Sequence, residues 1–501
     1  MRGAHELPGV SIVTVASVRE STGLVANAER FRADSERKVA RQSLEQQSWT
    51  ELAGTAQLVE AASLADVAIH TSAAHRLVNL SGAPWPPSAG SAQLVFELHW
   101  DGERPEGLGL RRARGRPPKD VIVTCRSSTG QTRVVQRSTL TLTPATPAGD
   151  RRNAASRSVA LLLRALGMSD NELSVGETSE PPPPSAKSRS GSLRVPPAVG
   201  ASIGVAAAAV FRRVSRGLWR DDAWEIQYRT NSDAFVANSD HVSANGFKAY
   251  RPGYDRFVAD PIPFSHHDIH AVFFEEYPFA TRKGVISCAV LQANGELGVP
   301  QRVLERRYHL SYPFVFRDDD RVYMVPESAA NRTIDLYECT SFPHQWEYRK
   351  TLLDNISAND ATFYQDGTRW WMFATVSGEG AYAWDELHLF FADEILGEWQ
   401  PHPMNPVKCD SRSARPAGPL FVKAGRLLRP TQDCSETYGG AVSICEIEEL
   451  TPTCFRERTV DRLDPDLFPG AKGLHTLAAT GAIETVDIRP RRRMRWERGT
   501  I

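Results

Sequence analysis

In the second half of the chain, short apolar runs come in pairs separated by polar turns, and the pair recurs five times. Residues 261–264 turn into 271–275, 312–316 into 322–327, 360–364 into 370–374, 418–422 into 426–430, and 475–478 into 483–487. Such pairs predict antiparallel hairpins. Asp318-Asp319-Asp320, Gln365-Asp366-Gly367, Lys423-Ala424-Gly425 and Thr480-Gly481 supply the turn residues between the runs. The starts lie about 50 to 60 residues apart, the period at which a chain lays down four-stranded propeller blades. Third strands are predicted over 283–291, 333–339, 386–392 and 440–447, and fainter fourth strands over 301–304, 346–352, 398–402 and 453–460. The fifth copy runs out of chain after two strands. A ring must close, so its missing strands should come from upstream, with Trp224-Glu225-Ile226-Gln227-Tyr228 as the donor. The expected fold is mainly β: a five-bladed β-propeller over 223–490, preceded by a small degenerate α/β region over 1–175.

The preceding region has a weaker pattern. Residues 52–68 follow loose helical spacing, 77–80 and 93–98 read as strands, 121–124 and 134–135 add further strands, and 158–166 reads as a helix. A Gly-rich phosphate loop, a Walker lysine, a nucleophile elbow and paired metal-ligand histidines are absent from it. Residues 176–200, rich in Pro and Ser, read as an extended linker. Residues 201–222 read as a surface helix, Ala-rich and turning basic at Arg212, Arg213 and Arg216; its continuous apolar stretch is too short to span a bilayer. The basic end, 491–501, reads as a solvated tail.

Composition narrows the picture. The chain of 501 residues is 41% apolar and 24% charged, with a net charge of −1, which gives no general attraction to nucleic acid or membrane. No secretory signal is visible at the N-terminus, and the seven cysteines lack metal spacing. Reduced thiols in a cytoplasmic protein are therefore expected.

In a propeller, the innermost strand of each blade starts at the end of the channel to which the second strand returns. Strand starts and returns therefore bring Asp260, His309, Ser311, Tyr312, Asp360, Arg415 and His475 toward the same mouth as Glu275, Glu276, Glu327, Gln432, Asp433 and Asp487, with Asp385 at the start of a third strand. Carboxylates gathered with one Arg and two His suit glycoside chemistry, where one acid protonates a leaving oxygen and a second carboxylate activates water. Crowding them also raises at least one pKa. The candidate catalytic set is Asp260, Glu327 and Asp360; the candidate binding set is Glu276, His309, Tyr312, Asp385, Arg415, Gln432, Asp433 and His475. No cofactor or metal is indicated by the residues, and a divalent ion in the channel stays open as an alternative. His266, His267 and His270 sit in a hairpin turn and read as surface, Trp370 and Trp371 read as packing on opposite strand faces, and Cys434 reads as packing.

Eight strings in order carry a resemblance: Ala259-Asp260-Pro261, Phe273-Phe274-Glu275-Glu276, His309-Leu310-Ser311-Tyr312-Pro313, Pro326-Glu327-Ser328, Asp360-Ala361-Thr362, Asp385-Glu386-Leu387, Arg415-Pro416-Ala417-Gly418 and Gln432-Asp433-Cys434. Together they resemble the N-terminal domain of the plant glucosamine inositolphosphorylceramide transferase family, a domain also found in bacterial proteins. That domain is similar in turn to arabinanase and fructosidase propellers. The resemblance implies a bacterial, carbohydrate-related protein, with Asp260 as general base or nucleophile and Asp360 as the residue that orients the acid; Glu327 is taken as the acid because it ends a second strand at the same mouth. Glycosidases of this shape usually take their acid from a later blade. The upstream region faintly resembles the end of a formyltransferase domain without its Asn, His and Asp set. The expected role is action on a glycan or glycolipid at the acidic mouth, as a glycoside hydrolase-like or glycosyl-transfer enzyme, or recognition of it there. The alternatives are a non-catalytic carbohydrate-binding module and a scaffold for biosynthetic enzyme partners.

Overall fold

Alternating apolar positions form hairpins because each face of a strand must be covered, and here each of the five hairpins recruits two more antiparallel strands. The computed structural model describes residues 12–15, 56–59, 76–79, 94–100, 120–127, 131–140, 154, 157–158, 161–162, 165, 219–220, 223–230, 244–377, 382–490 and 492–493. The chain divides into two units, Met1–Arg194 and Val195–Ile501.

The second unit is the propeller. Blade one is Arg256–His266, Ile269–Pro278, Val285–Val290 and Gln301–Leu304; blade two is Ser311–Asp318, Arg321–Glu327, Thr333–Ser341 and Gln345–Asp354. Blade three is Ala358–Gln365, Trp370–Val376, Leu387–Ala392 and Gln400–Pro401; blade four is Phe421–Lys423, Arg426–Asp433, Ala441–Leu450 and Phe455–Leu463. Blade five pairs Ala471–Ala479 with Ile483–Pro490 and then takes from upstream Glu225–Thr230, the donor expected from the sequence, and Lys248–Tyr250, which the sequence reading did not name.

No sheet closes on itself, so the ring is held by side chains packed between blades. Val315, Met324 and Tyr337 of blade two meet Phe273 and Ile286 of blade one. Phe316 and Val325 of blade two meet Phe363 and Met372 of blade three, and Phe373 and Leu389 of blade three meet Ile447 and Phe455 of blade four. Leu428 and Val442 of blade four meet Leu474 and Val486 of blade five. The circle ends where Ile226 and Tyr228 of blade five pack on Val272 and Phe274 of blade one. Trp370 and Trp371 serve two different seams, one toward blade two and the other toward blade four, as their opposite strand faces require.

The ends of the propeller differ from the sequence reading. Trp219–Arg220 is a strand and pairs with Arg492–Arg493, so these two residues do not end a helix and the basic tail begins paired. The cause is geometric: Glu225 lies opposite Ile488, so the chain before one and after the other runs side by side. Residues 176–200 and the expected helix before Trp219 lie outside the described residues.

The first unit holds a six-stranded sheet in the order Ala56–Val59, Ile12–Val15, Arg76–Asn79, Leu94–Trp100, Asp120–Ser127, Thr132–Thr139. The first four strands are parallel and the last two antiparallel. Ala56–Val59 corrects the helical reading of 52–68 at these four residues: a short strand paired in parallel need not alternate, so period alone could not separate it from a helix. The rest of that range lies outside the described residues. Ala154, Arg157, Ser158, Leu161, Leu162 and Ala165 are helical and buried, the spacing of one helix face. Among the described residues, no helix is long and apolar enough to cross a membrane.

Closure by packing makes Ile226 a sensitive position. Ile226→Ala should cost about 2–5 kcal/mol in chemical denaturation of the propeller, whereas Val422→Ala, 62% exposed on blade four, should stay within about 0.5 kcal/mol. Equal effects would mean that the seam does not carry closure.

Candidate functional site

The inner strands of blades one to three share one irregularity. Ladder register breaks between Ala259 and Ile262, between Ser311 and Phe314, and between Asn359 and Thr362. Within each break one residue takes a left-handed backbone: Asp260 at φ 52°, Tyr312 at φ 40° and Asp360 at φ 52°. A bulge of this kind re-aims the side chain, and Asp tolerates the conformation better than most residues. The bulges thus turn two buried aspartates toward the channel.

Asp487, at the return of blade five, is the first anchor. Its Oδ1 accepts the backbone N–H groups of His475 at 3.3 Å and Thr476 at 2.7 Å, and its Oδ2 accepts that of Asp260 at 2.9 Å. His475 Nδ1 lies 2.6 Å from the same Oδ2, while Nε2 lies 3.6 Å from Asp260 Oδ1. Asp260 also accepts from Thr476 Oγ1 at 3.3 Å and from the Tyr312 backbone N–H at 3.1 Å. Burial lowers the pKa of His475, but Asp487 and Asp260 more than offset this and raise it overall. Burial pushes Asp260 up to about 6 against the pull of His475.

The second anchor is Arg415. Its Nε and Nη2 donate to Asp360 at 2.6 and 3.0 Å, Nη2 reaches Glu327 at 3.3 Å, and Nη1 donates to the Ala383 carbonyl at 3.0 Å. Gln432 Nε2 completes the set on Asp360 at 2.8 Å. Burial raises Asp360, Arg415 pulls it back and Glu327 raises it again, leaving it at about 7. Asp360 is closed in by donors from Arg415 and Gln432.

Glu275 is the group in the mouth that the binding set lacked. Adjacent strand residues point to opposite faces, and here Glu275 lies among Asp260, Glu327, Asp487 and Asp360, while Glu276 is held by Arg256 and Ser287. Glu276 is therefore a structural ion pair. Aligning the repeats carries the signal: Asp260-Pro261 corresponds to Tyr312-Pro313 and Glu275 to Glu327, and the register agrees, with Glu275 facing Ala259 as Glu327 faces Ser311. Burial first, then the four carboxylates, hold Glu275 well above the ordinary carboxyl range.

The same alternation separates Gln432, on Asp360, from Asp433, whose oxygens cap the Ser435 turn and pair with Arg462. Asp433 does not face the mouth. Tyr312 contributes its backbone N–H there, but its side chain is buried between blades two and three with its hydroxyl on Thr362 at 2.8 Å. His309 borders the mouth beside Glu275, at 3.4 Å. Asp385 is buried at the end of the blade-three loop that follows Ala383. His266 and His267 lie ring against ring at 4.2 Å, tilted by 55°, in the blade-one hairpin beside Arg317, and burial pushes the Cys434 thiol up to about 12.

An aromatic edge, also missed, flanks the carboxylates. Trp224 stacks on His475 at 3.8 Å, Tyr438 meets both rings edge-on, and Trp384 lies 5.8 Å from Tyr438 with Tyr382 stacked against it at 5.1 Å. Arg415 sits over Tyr438 at 5.3 Å. These rings come from loops and a strand entry outside the repeating runs, so the period gave no sign of them.

Asp260, His475 and Asp487 bring three ligand-type atoms within 4.8 Å of one another. Asp487 accepts backbone N–H groups on both oxygens and faces the His475 ring, and Asp260 accepts from Thr476. These contacts describe an ion-pair lock between blades five and one.

Residues 222–466 match the family model described as glucosamine inositolphosphorylceramide transferase 1, N-terminal. It is the family whose motifs the sequence resembles. The match ends before the hairpin Ala471–Pro490 that completes blade five. Two curated relatives carry the name glucosamine inositolphosphorylceramide transferase 1. The one from Oryza sativa subsp. japonica is 36% identical over 247 residues, 47% of this chain and 32% of that protein; the one from Arabidopsis thaliana is 31% identical over 248 residues, 48% and 31%. The chain thus matches about a third of the length of these relatives. Both are plant proteins, so the expected bacterial origin finds no support in them. Among solved structures, a family 117 glycoside hydrolase from Zobellia galactanivorans aligns with TM-score 0.35 and 11% identity over 54% of this chain and 91% of its own. An exo-1,5-α-L-arabinanase from a bovine ruminal metagenomic library aligns with TM-score 0.34 and 12% identity over 50% and 97%.

Two outcomes follow from the charge arrangement. Glu275, Asp260, Asp360 and His475 all bind a proton more tightly folded than unfolded, so their stabilisation is complete below the unfolded pKa values and is lost as pH rises through the folded ones; His309, lowered by burial, opposes them. The propeller's thermal transition should therefore be higher near about pH 5 than near about pH 8, and a transition rising with pH would refute the assignment. Arg415→Ala should cost about 3–5 kcal/mol by leaving Asp360 buried without its partner, and adding Asp360→Asn should recover part of it. Additive losses in denaturant melts would show that the two side chains are not coupled.

Proposed function

We propose that the propeller recognises the carbohydrate part of a glycan or glycolipid at its axial mouth. The observation that carries this reading is the juxtaposition of a buried carboxyl set, organised by Arg415 and His475, with the Trp384, Tyr382 and Tyr438 rings at one side. Polar groups that fix hydroxyls beside aromatic faces that cover C–H surfaces are what a sugar ring requires of a site. The family match supports a role in glycolipid assembly, since the relatives are named for glucosamine transfer to inositolphosphorylceramide. About two thirds of those relatives lies outside the match, so the transfer in their name need not reside in this domain.

A catalytic reading is favoured by one feature: Glu275, kept protonated, sits close to Asp260, an acid beside a carboxylate. Against it, the oxygens of Asp260 and Asp360 are engaged by internal donors, so binding is the stronger reading. Cytoplasmic placement and association with biosynthetic enzymes belong to the same proposal.

A glycan array followed by titration calorimetry on the full chain tests it. Selective binding should weaken about tenfold or more in Trp384→Ala. No binding to any glycan by the wild type would refute the reading, and turnover of a bound glycan that is lost in Asp260→Asn would replace it with the catalytic one.

A further inference from the structure

Glu275 is 6% exposed, and its Oε1 has no hydrogen-bond partner among the described residues. A buried polar atom left in that state costs free energy unless something else completes it. The nearest candidate, His309 Nε2, lies 3.4 Å from Oε1 without forming a hydrogen bond to it. His309 is fixed from its other side: the Gly284 backbone N–H donates to Nδ1 at 2.9 Å. With Nδ1 accepting, the proton of the neutral ring sits on Nε2. Gly284 permits this closeness because a Cβ there would stand 2.7 Å from Glu275 Oε1 and 2.7 Å from His309 Cε1. The imidazole side chain is 37% exposed, so the pair opens toward the mouth.

We propose that Glu275 and His309 form a pair of converging neutral donors that read one oxygen of the bound carbohydrate, a hydroxyl, ring or amide oxygen. This rests on the glycan reading above and names the residues that contact the ligand within it. An oxygen set between two atoms 3.4 Å apart can lie within about 2.8 Å of both. Two donors on one oxygen satisfy its two lone pairs, and the orphaned Oε1 gains its missing partner. The groups facing Glu275 support the donor state. Asp260 on its own blade, Glu327 on blade two, Asp360 on blade three and Asp487 on blade five all oppose a further negative charge there, and burial lowers His309 so that its ring is neutral too. Neither member then adds charge to a mouth whose cations, Arg415 and His475, are already committed to Asp360, Glu327 and Asp487.

The test is calorimetric titration of the full chain with glucose, N-acetylglucosamine and glucosamine across about pH 5.5 to 9, using wild type, Glu275→Gln and Glu275→Ala. Wild-type affinity for a neutral sugar should fall as pH rises, because ionised Glu275 loses its donor. Glu275→Gln, which keeps a donor, should retain binding and lose that pH dependence, and Glu275→Ala should bind about tenfold more weakly. Unchanged affinity in Glu275→Ala would overturn the proposal while leaving the glycan reading intact. Binding confined to glucosamine, strengthening with pH and lost in Glu275→Gln, would also overturn it, since Glu275 would then serve as a carboxylate for an amine. If none of the three sugars binds but the glycan array identifies another ligand, the same three proteins are titrated with that ligand and the same outcomes decide. Binding of no glycan at all would overturn both readings.

Discussion

The structure depends on how a ring of separate sheets is closed. Each blade is complete in its own hydrogen bonds, so nothing in the ladders joins blade five to blade one. That junction is made by Ile226, Tyr228 and Tyr250 against Val258, Val272 and Phe274, and by Asp487, which binds the backbone of Asp260 across the seam. The same carboxylate orients His475 against Trp224. Closure and site construction are therefore one arrangement: the residues that lock the last blade also set one wall of the mouth.

The opposite wall follows from the bulges. Shifting register by one position in an inner strand turns Asp260 and Asp360 toward the axis, where neighbouring blades supply donors. Arg415 collects Asp360, Glu327 and the Ala383 carbonyl, tying blades two and three to the segment that leads into blade four. Buried ion pairs of this sort contribute little net stability, since desolvation offsets most of their attraction, but they fix geometry because every alternative leaves a charge unpaired. The geometry of the mouth is thus fixed where its charges are matched, while Glu275 Oε1 stays without a hydrogen-bond partner among the described residues.

Legibility divided along the same line. Asp260, Asp360, Glu327, Arg415, Gln432 and His475 were recognisable because they occupy equivalent ends of repeated strands. Glu276 and Asp433 were chosen wrongly because the channel sees only one face of a strand, and in each pair the neighbour, Glu275 or Gln432, holds that face. Tyr312 occupied the right position, but its ring turned into the seam while its amide stayed at the axis. Tyr438, Trp384 and Tyr382 lie in irregular connections, where no period constrains composition.

By itself the sequence determined the number of blades, the approximate place of their strands and the first of the two borrowed strands. These depend on local alternation and turn chemistry, which are written residue by residue. It also determined that acidic side chains gather at one end of the channel, because strand direction alternates predictably. Only the tertiary structure decided which carboxylates are matched and which is left open. That outcome depends on distances between blades more than fifty residues apart in sequence, such as Arg415 to Asp360 and Asp260 to Asp487. The electrostatics of a buried group are set by whatever surrounds it in space, and neighbours in the chain do not specify those surroundings.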